Sequence, residues 1–238
     1  ATRGGVYHQD ISEGIVEVTA APEDNWVNTG DRVLLADKRA ASVLEKARVE
    51  SFSRISDAGD LSNTSLSHPL AGMEGSKGEW DEPRDFRAAP FVTEEDGTGF
   101  VHCAPSHGMD EFELYRDAGM LEQVLTYNVM EDGTMRADLP FFGGKRILKP
   151  NGKEGNVNAA VIEKLAESGK LLARGKIKHS YPHSWRSKAP LIYRNTPQWF
   201  AAIDRPVGDN QDEFGKTNRE RALNSIDKMV EWTPKTGR

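Results

Sequence analysis

The sequence predicts a β-rich α/β fold, a closed barrel with peripheral helices, on three observations. Short runs of alternating apolar and polar residues recur along the chain. Helical periodicity is confined to a few stretches, and Gly, Pro and Asp-Gly punctuation separates the segments. With 238 residues, 37% of them hydrophobic and 29% charged, the chain is long enough to bury a real core.

Residues 14–20 (GIVEVTA) alternate well enough for a strand, and residues 31–36 (DRVLLA) form a second, reached through a turn region at 22–30. Asp37 is placed to cap a helix whose Ala40, Val43, Leu44 and Ala47 share one face. Residues 49–55 (VESFSRI) return to period two. Residues 56–82, rich in Ser, Gly and Asp, are expected to loop around a short strand near His68, Pro69 and Leu70. Residues 123–129 read as another strand, closed by the Asp132-Gly133 turn signal. Between 156 and 168, Val157, Val161, Ile162 and Leu165 define an amphipathic helix stopped by Gly169, and residues 171–178 are the expected strand after it. Thr217 and Glu220 form a capping-box pattern for a last helix through Leu223, Ile226 and Val230.

The net charge of −6 hides an asymmetry. Residues 144–200 hold twelve Lys/Arg against three Asp/Glu, a net +9, which leaves −15 on the remainder. Such a segment is either a polyanion-binding face or a solvated lysine-rich surface. No apolar run approaches the ~20 residues that cross a bilayer, and the opening ATRGGVYHQDISEG lacks a signal-peptide pattern. A single cysteine, Cys103, excludes an internal disulfide and any CxxC zinc site. The expected location is cytoplasmic, away from membranes.

The densest chemistry lies in residues 97–113, GTGFVHCAPSHGMDEFE. Gly97 and Gly99 bracket Thr98, so the backbone there is free to take positive φ and to let a ligand approach closely. Phe100 and Val101 give a short β-prone run that leads directly to His102 and Cys103. Pro105 and Gly108 then force a turn, and residues 109–118 have helical character. This layout is expected to set His102, His107, Asp110 and Glu111 around the mouth of one pocket, beside a helix N-terminus that favours anions. Imidazole and carboxylate also suit zinc or iron, but the spacing of His102, His107 and Asp110 is not a standard ligand spacing, and no metal is expected. Cys103 beside His102 does not make a nucleophile pair, because neighbours on a strand point to opposite faces.

GTGFVHCAPSHGMDE resembles the editing domain that class I aminoacyl-tRNA synthetases of the isoleucine type carry inserted in their catalytic core. EVTAAPEDNWVNTGDRVLLAD before it, HSYPHSWRSKAPLIYRNTPQWFAAID after it and the closing MVEWTP stand in the family's order, so the resemblance spans nearly the whole sequence. His102 favours the isoleucine type over its valine and leucine sisters. The resemblance implies an editing-domain barrel over 15–178, a return toward the Rossmann catalytic core over 179–238, and an opening segment 1–14 with no counterpart. The family's HIGH-type and KMSKS-type ATP signatures do not occur. The chain is therefore expected to be a fragment without a cofactor of its own, from a parent enzyme that uses ATP and Mg. The threonine-rich strand that walls the family's editing pocket is missing too.

Isoleucine and valine differ by one methylene, worth only ~1–3 kcal/mol in an apolar pocket, a limit for which isoleucine-type enzymes are themselves the usual illustration. The resemblance implies the remedy: hydrolysis of the ester joining valine to tRNA(Ile). Such a site orients a water and the carbonyl, and holds the α-ammonium with a carboxylate. In the family that carboxylate is an aspartate nine residues beyond the histidine; here the position holds Glu111. One extra methylene moves the carboxylate by about 1.5 Å, and a displacement of about 1 Å costs ~100-fold in rate. Asp110 points about 100° away around the helix. By this resemblance Glu111 and His102 are the expected catalytic residues, and Gly97, Thr98, Gly99, His107 and Asp110 the substrate-binding ones.

The implied partner is tRNA(Ile) with its valine or isoleucine moiety, bound by a monomer through the basic 144–200 segment. Ser184 and Ser187 stand where some relatives carry zinc-site cysteines. Trp185 and Trp199 read as buried aromatics rather than base-stacking platforms. The competing reading is a non-catalytic tRNA-binding module that kept the fold and lost the activity.

Overall fold

The computed structural model describes residues 2–95, 97–176, 180–208 and 213–237. The chain divides into two compact units, Ala1–Asn195 and Thr196–Arg238. The first unit holds two three-stranded sheets. In one, β1 (Gly4–Tyr7) lies between β5 (Asp85–Ala88), parallel to it, and β6 (Val101–Cys103), antiparallel. In the other, β2 (Glu13–Ala20) is flanked antiparallel by β3 (Arg32–Ala36) and β4 (Ser51–Asp57).

The opening segment is thus built into the middle of a sheet. All four residues of β1 are buried, and a side chain at either of its first two positions would crowd its neighbours. A Cβ on Gly4 would stand 2.4 Å from the Tyr115 hydroxyl, and one on Gly5 2.7 Å from Leu66 Cδ1. Glycine inside a strand marks this kind of close approach. In the second sheet Val16 and Leu35 turn inward to meet Ala40, Val43 and Leu44 of α1 (Asp37–Lys46), the apolar face that the spacing predicts. Asp37 opens α1 without capping it. Its carboxylate is occupied by Arg54 (Nε to Oδ1 2.8 Å, Nη2 to Oδ2 3.1 Å) and by the Ser12 hydroxyl at 2.6 Å.

Among the described residues the strands do not close into the expected barrel, because several segments that would extend the sheets take other forms. Residues 58–84 contribute only an isolated bridge, Leu66 to Arg84, and His68 to Leu70 turn instead of extending. The expected strand at 123–129 begins inside a helical turn, α3 (Leu121–Val124), whose Val124 packs on Tyr115 and Val6. The Thr126 N–H then goes to the Ser106 hydroxyl at 2.7 Å, not to a ladder. Residues 171–176 form no strand either; Leu172 and Ala173 instead pack against Val18, Val27 and Ala47. Residues 177 and 178 of that expected strand lie outside the described residues.

α2 (Met109–Asp117) and α4 (Val157–Glu167) form as the periodicity predicts. Gly169, at φ +65°, ends the turn after α4. The face of α4 holding Val157, Val161 and Leu165 covers a cluster around Trp80, Leu139 and Phe142. In the second unit, α5 (Asn218–Lys228) carries the predicted capping box. Glu220 N–H donates to Thr217 Oγ1 and Thr217 N–H to Glu220 Oε2, both at 3.1 Å. The helix stops at Lys228, so Val230 lies beyond it. No helix among the described residues is long and apolar enough to cross a membrane.

Candidate functional site

Gly97 and Gly99 take φ of +66° and +87°. The close approach at Gly99 is to the protein itself: a Cβ there would sit 2.2 Å from that of Ala36. The Thr98 carbonyl accepts the Ala36 N–H at 3.0 Å, so the loop is docked on the junction between β3 and α1. Thr98 Oγ1 folds onto the Phe100 backbone at 3.3 Å. From this loop β6 sends alternate side chains to opposite faces. Cys103 is fully buried in the core and burial pushes its thiol up to about 12, so it is no thiolate nucleophile. His102 is exposed on the other face, opposite Gly5, with Nδ1 3.4 Å from Thr2 Oγ1.

Thr98 and His102 line one cavity of ≈ 360 Å³, within the ~300–1,000 Å³ of small-molecule sites. Leu34, Leu66 and Phe100 supply its apolar walls, and Thr2, His68 and Arg84 add polar groups. The His68 ring stacks on Trp80 with centroids 5.5 Å apart, and its Nδ1 accepts the Leu70 N–H at 3.1 Å. Burial above all, helped by nearby Arg84 and Arg3, pushes His68 down to about 4. It is therefore neutral at pH 7 with its proton on Nε2, a donor tautomer. The cavity thus sets hydroxyls and a neutral imidazole, groups able to orient a carbonyl and a water, inside apolar walls, with one cation beside them.

The expected single pocket mouth is not what the fold builds. His107, Asp110 and Glu111 do not line the cavity of Thr98 and His102. After β6 the chain turns back on itself, with Ser106 tied to Thr126, so the two histidines open onto different spaces. His107 faces a smaller cavity of ≈ 220 Å³ with Phe112 and Tyr193. Its Nδ1–H donates to the Tyr193 carbonyl at 2.8 Å, and burial lowers its pKa. Asp110 is exposed. Glu111 bends back over Gly108, where a Cβ would meet Oε2 at 1.8 Å; a carboxylate there faces the positive end of α2.

Among the described residues no three His, Cys, Asp or Glu side chains gather as a metal-ligand set. Ser184 and Ser187 close a local turn, Ser187 N–H to Ser184 Oγ at 3.3 Å. Trp185 and Trp199, expected to be buried, are exposed. The Arg186 guanidinium lies 5.2 Å from the Trp185 ring centroid. Thr2, His68 and Arg84 escape sequence reasoning. His68 stands in a Ser/Gly-rich loop, and no local pattern marks Arg84 or Thr2 as cavity residues.

No protein-family model matches the chain. Curated relatives do. The isoleucine–tRNA ligase of Ruegeria pomeroyi is 64% identical, over 98% of this chain and 24% of the relative. Those of Rhodopseudomonas palustris and Bradyrhizobium diazoefficiens are 43% and 42% identical, over 97% and 95% of this chain and 24% and 23% of the relatives. A solved structure described as the crystal structure of GlLeuRS-CP1 has a TM-score of 0.38 and 15% identity, covering 71% of this chain and 61% of that one, a likeness too slight to argue from. These relatives are aminoacyl–tRNA ligases. Within that class the matched relatives are isoleucine–tRNA ligases, and the chain spans about a quarter of their length.

Proposed function

We propose that the cavity of Thr98 and His102 is an editing site that hydrolyses the ester between valine and tRNA(Ile). One observation carries the reading: the two residues converge on a single small-molecule-sized cavity in a chain whose relatives are isoleucine–tRNA ligases. An aminoacyl ester is already activated, so placing a water and polarising the carbonyl supplies most of the catalysis required. In this reading Thr98 and Thr2 hold the water or the ribose hydroxyls, and His102 contacts the amino acid and excludes isoleucine by shape. Gly97 and Gly99 set the loop that presents Thr98. The parent enzyme is a cytoplasmic ligase that uses ATP and Mg to attach isoleucine, and tRNA(Ile) is the partner. Lys149, Lys153, Lys170, Lys176, Arg186 and Lys188, all exposed, supply the tRNA-facing surface.

The position of Glu111 favours a second reading. Its carboxylate lies against Gly108, outside the cavity where an α-ammonium would need it, which suits a tRNA-binding module without hydrolysis. Incubating the purified chain with Val-tRNA(Ile) and with Ile-tRNA(Ile) separates the two. Selective loss of valine supports editing, and binding of both without deacylation supports the module.

A further inference from the structure

The cavity wall carries a cation that the deacylation chemistry leaves unused. Arg84 is 5% exposed. Its Nη2 donates to the Glu79 carbonyl at 3.4 Å, and its Nε is buried with no hydrogen-bond partner among the described residues. The Glu79 carboxylate is held by Arg136 at 2.5 Å. Among the described residues Arg84 forms no ion pair with a carboxylate within 4.0 Å. Arginine is almost never buried without a counter-charge, since an unpaired ion in a low dielectric is costly. Burial and neighbouring Arg3 accordingly lower the Arg84 pKa, against weaker opposition from Glu82 and Glu79. The guanidinium remains charged even so.

An unpaired guanidinium lining a cavity is complementary to an anion that enters with the ligand, and its fork matches phosphate oxygens. On an aminoacyl ester of RNA the choice of anion is narrow. The amino acid's carboxyl is consumed in the ester and its amino group is cationic, so the nearest negative charge is the phosphodiester of the terminal nucleotide. We propose that Arg84 anchors that phosphate, fixing a terminal nucleotide in the cavity with its ribose ester toward Thr98 and His102. This rests on the editing reading for the identity of the ligand, and on Arg84 alone for its charge.

The test compares AMP with adenosine, which differ only in the phosphate, by titrating each into the whole chain at fixed salt. Wild type is expected to bind AMP about tenfold or more tighter than adenosine, the scale of one charge-assisted hydrogen bond. The ratio is expected to fall toward one in Arg84→Gln and to be partly kept in Arg84→Lys. Adenosine binding reports folding in each variant, and competition by inorganic phosphate in wild type requires no substitution at all. Equal affinities in wild type, binding of neither ligand, or a ratio that both substitutions leave intact would overturn the anchor. AMP preference without Val-tRNA hydrolysis would defeat the editing reading and leave the anion site standing. Hydrolysis without AMP preference would defeat Arg84 alone.

Discussion

Gly5 and His102 stand directly opposite each other in the β1–β6 ladder. Opposed residues of an antiparallel pair present their side chains to the same face. Gly5 has none, so Leu66 and Phe86 close over its Cα, within 2.7 Å and 3.2 Å of where a Cβ would be. His102 is thereby left standing free above an apolar floor, with the Thr2 hydroxyl beside it. The site depends on a bare strand as much as on a histidine.

Gly5→Val is expected to damage both stability and function. The new side chain drives Leu66 and Phe86 out of place, at a cost of about 1–3 kcal/mol for overpacking. A drop of several degrees in Tm, together with loss of Val-tRNA deacylation, is the expected outcome; an unchanged melting curve would show that β1 is not packed as described.

Glu111 is expected to behave as a helix-terminal charge. Glu111→Gln removes its interaction with the α2 dipole, about 0.3–1 kcal/mol, and leaves deacylation within a few-fold of wild type. Steady-state rates on Val-tRNA(Ile) check this, and a hundredfold or greater fall in rate would return Glu111 to the site as the ammonium anchor.

Glu13 makes stability fall as pH rises. It is 9% exposed, with Oε1 buried and unpartnered among the described residues, and burial pushes its carboxyl up to about 7. The folded state holds a proton that the unfolded state releases near 4.5, so the stabilisation is complete below that pH and is lost as pH climbs through about 7. Glu13→Gln is expected to stabilise the fold at pH 8 by roughly 1–3 kcal/mol and to change little at pH 4, as read by urea denaturation at both values.

The basic segment predicts a salt signature. Replacing Lys149, Lys153, Lys170 and Lys176 with Gln should weaken tRNA binding for any sequence. The slope of log K against log salt should become shallower by about 0.7–0.9 for each phosphate that a lysine no longer neutralises. Filter binding across a salt series measures it, and an unchanged slope would make these lysines a solvated surface.

Elements fixed by local chemistry were legible in the sequence. β2, β3 and α4 follow from periodicity, and the α5 capping box from two residues three apart. What sequence reasoning missed depends on distant partners. Gly4 and Gly5 fall in an opening segment that the sequence leaves without an assigned element, because the Tyr115 and Leu66 that bury them lie far along the chain. Asp37 has cap chemistry, yet Arg54, seventeen residues on, takes its carboxylate. Residues 123–129 read locally as a strand, but the cluster around Tyr115 accepts Val124 from a helical turn. Of the candidate site, Thr98 and His102 were legible as a motif, whereas Arg84 and His68 reach the cavity only through a long loop that bears no periodicity.

Single-turnover deacylation of Val-tRNA(Ile), by the wild-type chain and by His102→Ala, tests the proposed site most directly. His102 is exposed, so its removal should leave the fold within about 0.5 kcal/mol of wild type. Selective release of valine over isoleucine by wild type, with that selectivity or the rate itself collapsing in His102→Ala, is the predicted result. Equal release of both amino acids by wild type, or a rate and selectivity untouched by the substitution, would contradict it.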